Sequence, residues 1–341
     1  MNTPVSSLAG APTPASSPES RGSAGTHGSL AAWRERLSAQ TLVLPLVLVV
    51  LVVGLSLASD VFFSGRNIQQ LLVQGSVLAI IAVGLTFVII GGDLDLSIGS
   101  NVALSGVVAS YAMTTVSGSV LFGIFLGIGT GVAIGALNGL LTAYAKVPAF
   151  ISTMGTGVVA TGLALWMTKG LAVSGLPASF QSLTTTRILG LPSLVWWAVA
   201  VTAVGALALH RTSFGARVFA TGGNRTAAYN VGIYPDRVRF WCLTIAGLCG
   251  GLGGVLMTSR VLASQPGAGT TMTLFATAAV IIGGTKISGG VGTMGLTVFG
   301  VLLIAIVQNG LSILGVEYAL QQVAVGVVFV LAAAFAVFRR T

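Results

Sequence analysis

Acidic residues are scarce in this sequence: 7 of its 341 residues are Asp or Glu, against 16 Lys and Arg. Charged residues of both signs make up 7% of the chain, where a water-soluble protein carries roughly 25%. Hydrophobic residues reach 54%, more apolar surface than a soluble fold can hide, so the solvent is lipid. Histidine is limited to His27 and His210, and no Cys/His/acid group has metal-ligand spacing. The two cysteines, Cys242 and Cys249, would lie roughly 10.5 Å apart along one helix, too far for a disulfide, and read as small buried hydrophobes. No G-x-x-x-x-G-K-[ST] nucleotide-binding loop is present. No nucleophile–base pair supports an enzyme. The basic residues behind the formal charge of +9 are scattered at loop ends, which speaks for membrane topology and against a nucleic-acid partner.

What the chain has is long apolar runs. With about 20 residues per crossing, they give ten spans near 41–59, 68–91, 97–116, 119–143, 150–170, 190–209, 239–259, 272–284, 293–313 and 320–338. The eighth is short enough to be partly re-entrant. Residues 1–40, rich in Ser, Ala, Pro and Gly, read as a disordered cytoplasmic tail, with Leu30 to Leu37 as a short surface helix. Residues 41–341 then form an all-α transmembrane domain with both termini cytoplasmic. Placing the N-terminus inside leaves only Arg66, Lys169, Arg187 and Arg260 outside among the 16 basic residues, the bias expected of that orientation. Trp196 and Trp197 then fall at an outer aromatic belt.

Glycine is abundant, at 47 residues, and patterned. In the fourth span Gly123, Gly127, Gly131, Gly135 and Gly139 recur every four residues, a smooth stripe for close backbone approach. Gly247, Gly250, Gly251 and Gly254 repeat the device in the seventh. The string VIIGG occurs at Val88–Gly92 and again at Val280–Gly284, each time before a polar, glycine-rich stretch, so two helices break alike near the inner side. The first break holds two of the seven acids. Asp95 is placed to cap the third span, with Ser97 in its first turn, while Asp93 lies in the break beside Gly91 and Gly92. The alternative is that both carboxylates line a gate or touch a solute. A cation site would need oxygen ligands that this stretch does not supply.

The one sizeable inner loop spans His210 to Phe240, with its central part at 210–238, and carries Arg211, Arg217, Arg225, Arg237 and Arg239. Asn224 is an N-cap for a short helix from Arg225 to about Val231, stopped by Gly232 and kept from continuing by Pro235. Such a helix would present Ala227, Ala228, Tyr229 and Val231 to a groove on a soluble partner, or else be a solvated connector. On the first reading, Ala228→Glu should block that docking while leaving the protein in the membrane.

At these residues the chain resembles the membrane-spanning subunits of ribose-type (monosaccharide) ABC importers. "FGARVFATGGNRTAAYNVGI", Phe214 to Ile233, is similar to the family's loop, with Gly222, Gly223, Asn224, Ala227, Ala228, Gly232 and Ile233 matching. "GGDLDLSIGS" resembles its G-G-I-D-L-S-V-G-S, matching at Asp95, Leu96, Ser97, Gly99 and Ser100. "NGLLTAYAKVPAFISTMGT" and "AAVIIGGTKISGGVGTMGLTVFG" resemble two further blocks in the same order. The resemblance implies a type II importer fold of about ten spans, used as a pair of identical or related chains in the bacterial cytoplasmic membrane. It implies a cytoplasmic ATPase subunit or tandem ATPase that binds ATP and magnesium, and an extracytoplasmic sugar-binding protein. This chain itself then needs no cofactor. The helix Arg225–Val231 would be the coupling helix seated in the ATPase. Three departures stand out: Asp93 where the commonest form has its second glycine, Arg225 and Thr226 where an acid is frequent, and Leu274 and Phe275 where many members carry a carboxylate.

The translocation path should be mildly polar. Its candidates are Gln74, Asn101, Asn138, Thr153, Thr156, Gln308 and Asn309, each of which could instead serve as an interhelical hydrogen bond. A secondary transporter driven by an ion gradient is the competing reading, since it too uses broken helices. It would leave the inner loop without a purpose.

Overall fold

The computed structural model describes residues 39–317, 319–324 and 326–327. The expected tail with its surface helix, and most of the tenth span, lie outside the described residues. The helices are α1 (Ala39–Ala58), α2 (Gly65–Ile90), α3 (Ile98–Tyr111), α4 (Val120–Gly139), α5 (Ala149–Thr168), α6 (Ala178–Thr185) and α7 (Ser193–Arg211). They continue with α8 (Ser213–Gly223), α9 (Arg225–Asn230), α10 (Pro235–Val261), α11 (Thr270–Ile282) and α12 (Met294–Ile313). Both α3 and α4 end in π-helical turns, Ala112–Val116 and Leu140–Tyr144. Among the described residues six helices are long and apolar enough to cross a membrane: α2, α4 with its π turn, α5, α7, α10 and α12. The chain is a multi-pass membrane protein. The segments expected at 97–116 and 272–284 are present as the shorter α3 and α11.

The centre of the bundle is α2. Ile80 to Ile90 are all buried, as expected of a helix that is apolar on every face. It packs against α7, α10, α11 and α12 in the largest core cluster. The glycine stripe of α4 is a packing surface, with Gly123, Gly127, Gly131, Gly135 and Gly139 all buried. A Cβ on Gly131 would stand 2.6 Å from the carbonyl oxygen of Gly247, and one on Gly135 2.7 Å from the Cα of Gly247. Only hydrogen fits between these two backbones.

The VIIGG repeat is a structural repeat. Gly92 takes φ +81° and Gly284 φ +82°. In the first copy Gly92 N donates to Ile89 O (3.0 Å) and Asp93 N to Val88 O (3.1 Å). In the second, Gly284 N donates to Ile281 O (2.9 Å) and Thr285 N to Val280 O (3.2 Å). Both are helix stops of the glycine-terminated kind, which close the last carbonyls of an ending helix.

Several expectations need correction. The chain is not wholly α: Arg187–Ile188 and Leu191–Pro192 form a two-stranded hairpin around Leu189 and Gly190, both at positive φ. Trp196 Nε1 donates to Ile188 O (2.9 Å), so this indole closes the hairpin. The inner loop holds a further helix, α8, before the expected one. Thr212 caps it by accepting from Gly215 N (3.3 Å), and Val218 and Thr221 bury its inner face. Pro235 opens α10 as its first residue, where its missing N–H costs nothing. That places Arg239 inside the helix.

The contact between α4 and α10 predicts a sharp positional contrast. Gly131→Val should destabilise the detergent-solubilised protein by about 3 kcal/mol or more through overpacking. Gly129→Ala, whose Cβ meets nothing within 4 Å, should stay within about 0.5 kcal/mol. Thermal unfolding of the two variants checks this; equal stabilities would refute the packing account.

Candidate functional site

The two helix breaks and the end of α8 converge on one point. Gly290 N, in the loop after α11, donates to Ile90 O at the end of α2 (2.8 Å). Gly222 sits on the same carbonyl, where a Cβ would collide with Ile90 O and stand 2.6 Å from Gly290 N. A Cβ on Gly289 would meet Gly92 Cα and Gly222 O, each at 2.8 Å. Gly92 of the first break, Gly222 at the end of α8, and Gly289 and Gly290 in the loop after the second break thus form one backbone-to-backbone junction.

An ion cluster closes this junction. Asp93 has a side chain only 8% exposed and lies between two arginines. Arg239 of α10, itself 9% exposed, holds it with Nε to Oδ2 at 2.6 Å and Nη2 to Oδ1 at 2.9 Å. Its third nitrogen, Nη1, donates to Thr142 O at the end of α4 (3.3 Å). Arg225, the first residue of α9, donates Nη2 to Asp93 Oδ1 (2.9 Å) and to Gly92 O (2.8 Å), and is 45% exposed. Two of the departures from the family pattern, Asp93 and Arg225, are therefore bonded to each other. The sequence signals a need for partners, because an intramembrane acid is paired. Which arginines supply them depends on how α8 folds back.

Asp95 has a different role from the expected cap. The N-cap of α3 is Ser97, which makes no side-chain capping bond. Asp95 Oδ1 instead accepts from Ser97 N (2.8 Å) and Ser97 Oγ (2.6 Å), closing a tight turn just before the helix. A chain of bonds leads on from there. Asn138 Nδ2 donates to Ser97 Oγ (2.8 Å), and Thr156 Oγ1 donates to Asn138 Oδ1 (2.5 Å). Thr153 Oγ1 accepts from Leu96 N (3.1 Å). The break is thereby stitched to α4 and α5.

Of the path candidates, Asn138, Thr153 and Thr156 belong to this chain. Asn101 donates to Gly131 O (3.2 Å) and Gly247 O (3.3 Å), joining α3, α4 and α10. Asn309 and Asn67 exchange two bonds between α12 and α2, at 2.8 and 3.1 Å. Gln74 and Gln308 are half-buried and enter no such bond. The structure places Asn101, Asn138, Thr153, Thr156 and Asn309 in hydrogen-bonded joints between segments. Among the described residues no group of three His, Cys, Asp or Glu is placed to hold a metal.

The short helix α9 is built as its sequence indicates. Asn224 Oδ1 accepts from Ala227 N (3.0 Å), and Gly232 ends the helix at φ +84°. Ala228 is a correction: it is 3% exposed and faces the protein. The outward surface carries Ala227, Tyr229, Val231 and Tyr234 together with the polar Thr226 and Asn230. Substituting Ala228 would therefore test folding, not docking.

Residues 67–333 match the family described as branched-chain amino acid transport system / permease component. The chain is 39% identical over 288 residues to the ribose import permease protein of Bacillus subtilis, covering 84% of this chain and 89% of that protein. It is 34% identical over 292 residues to a D-allose transport system permease of Escherichia coli K12 (85% and 88% covered). With an L-arabinose ABC transporter permease of Azospirillum brasilense it shares 35% over 295 residues (86% and 87%). No solved structure gives a significant match.

The unequal burial of the two arginines predicts unequal roles. Arg239→Gln leaves a buried carboxylate half-paired and should cost about 3 kcal/mol or more. Arg225→Gln, removing a half-exposed partner, should cost about 1 kcal/mol or less. Unfolding midpoints in detergent check the order, and a reversed order would contradict the geometry.

Proposed function

The chain belongs to the branched-chain amino acid transport system / permease component family, and we propose that it is the membrane-spanning subunit of an ATP-driven monosaccharide importer. The observation that carries this reading is the α8–α9 elbow. A short capped helix, exposing Ala227, Tyr229 and Val231 beside Thr226 and Asn230, is fixed at its first residue: Arg225 bonds Gly92 O and Asp93 in the break after α2, and Asp93 in turn holds the buried Arg239 of α10. A helix in that position transmits a push: displacing it loads the junction where both broken helices end. Docked in a cytoplasmic ATPase, it would convert nucleotide-driven movement into opening and closing of the inner end.

The full architecture on this reading is ten spans with both termini cytoplasmic, in a bacterial cytoplasmic membrane. A second permease copy or a paralogue completes the complex. A binding protein delivers solute to the outer face, and ATP with magnesium is held by the ATPase alone. The relatives' names cover ribose, allose and arabinose, all neutral sugars, which supports a neutral monosaccharide as the substrate.

Reconstitution tests the reading. The purified complex in proteoliposomes should take up one of D-ribose, D-allose or L-arabinose with ATP and binding protein, and take up none without ATP. Uptake by the chain alone on an ion gradient would overturn the proposal. Ala227→Glu, which sets a charge on the outward face of α9, should leave the chain in the membrane. It should also weaken ATPase retention by about 3 kcal/mol, roughly a hundredfold. Undiminished co-purification of the ATPase with that variant would remove the docking role.

A further inference from the structure

We infer that the ATPase surface receiving α9 is apolar at its centre and acidic at its rim, and that one of its carboxylates pairs with Arg225. The inference rests on the importer reading and adds the chemistry of the partner's face. The ion cluster is out of balance. Two guanidinium groups share the single carboxylate of Asp93, so one positive charge is left over. Arg239 does not carry the excess: it is 9% exposed and grips Asp93 through two nitrogens, with its third on Thr142 O. The excess falls on Arg225. Only its Nη2 is engaged, on Asp93 Oδ1 and Gly92 O, while Nε and Nη1 make no bond. Three of a guanidinium's five N–H donors are therefore open, on a side chain 45% exposed at the root of α9. A carboxylate is the group such a cation takes most strongly from a protein surface.

The segments around Arg225 carry the same sign. Arg211 at the end of α7, Arg217 on the exposed side of α8, Arg237 in the first turn of α10 and Lys286 in the loop after α11 are all exposed. None of them pairs with an acid among the described residues. Asp236, the one acid of the inner loop, is taken by Lys146 (2.6 Å). The Lys286 loop adjoins the elbow, since a Cβ on its Gly290 would stand 2.7 Å from Gly223 Cα. Between Arg225 and Arg237 the chain exposes Tyr229, Val231 and Tyr234. Arg237 lies over the Tyr234 ring, 4.9 Å from its centroid, which holds a cation in place beside the apolar tip. Cations around an apolar tip are matched by a groove of the opposite layout, and charges of this kind choose the partner and speed its arrival. Inner loops are basic for reasons of topology as well, but topology requires no cation bonded to a helix break. Anionic lipid is a poorer match than a protein groove. A membrane surface takes a long helix with a basic face, whereas α9 has six residues and Arg225 as its one charge.

Opposite charges placed at one exposed position give the test. The full chain is set in lipid nanodiscs, and the ATPase subunit that co-purifies with it is titrated back to obtain Kd. Ala227→Glu should weaken binding about a hundredfold. Ala227→Lys, whose stem can carry its charge to an acidic rim, should weaken it about tenfold or less. Arg225→Gln should weaken it about tenfold and Arg225→Lys about threefold. Binding to the unmodified chain should fall about tenfold between about 0.1 M and about 1 M salt, as the screening length shrinks from about 10 Å to about 3 Å. Arg225→Gln should flatten that dependence, and Arg66→Gln, exposed at the opposite end of α2, should leave Kd unchanged. If Glu and Lys at position 227 weaken binding equally, α9 docks but the rim is not acidic: the proposal falls and the importer reading stands. Binding that ignores salt would overturn it in the same way. So would a Kd that follows the phosphatidylglycerol content of the nanodiscs and not the charge at position 225, because the cations would then serve lipid. If no ATPase co-purifies and the chain takes up sugar on an ion gradient, the importer reading falls and the proposal with it.

Discussion

A carboxylate buried among apolar helices must be neutralised by its neighbours, because neither water nor lipid tails can do so. Asp93 meets this constraint with two arginines, and their positions fix the inner end of the molecule. Arg239 brings α10 and, through Thr142 O, the end of α4. Arg225 brings the elbow between α8 and α9. The cluster therefore holds together parts of the chain that are more than a hundred residues apart. Removing Asp93 would leave two cations facing each other across an apolar junction.

The surrounding backbone makes this clustering possible. In lipid the apolar effect gives little reason for one helix to prefer another, so close packing and hydrogen bonds decide the arrangement. Glycine does both here. Along α4 it lets α10 approach to backbone contact, and at the breaks it allows three chain segments to share one carbonyl, Ile90 O. Polar side chains finish the work, with Asn101 joining three helices and the Asn67–Asn309 pair joining two. Such joints resist sliding of one helix along another.

Much of this was legible in the residues. Apolar run length located the helices, the repeated VIIGG marked two equivalent stops, and Asn224 with Gly232 bracketed α9 correctly. The resemblance to sugar importer permeases agrees with the family to which the chain belongs. What escaped the sequence depends on three-dimensional proximity. Helix α8 was hidden because "FATGG" reads as loop; Gly222 is tolerated in a helix there since nothing larger fits against Ile90 O. Ala228 looked exposed because its small side chain suits either face, and only the return of Ile233 N onto Ala228 O (3.0 Å) shows which way it turns. Asp95 had the spacing of a cap, but its bonds to Ser97 form before the helix begins.

On the importer reading, α9 and the two helix breaks move as one body when a docked ATPase changes state. A spin-label pair at Val231→Cys and Val291→Cys, both exposed, would measure it by pulsed electron resonance in the reconstituted complex. The account predicts a single narrow distance distribution, the same without nucleotide and with ATP trapped. A distance that shifts or broadens between the two states would show that the elbow moves independently of the breaks, and would contradict the account.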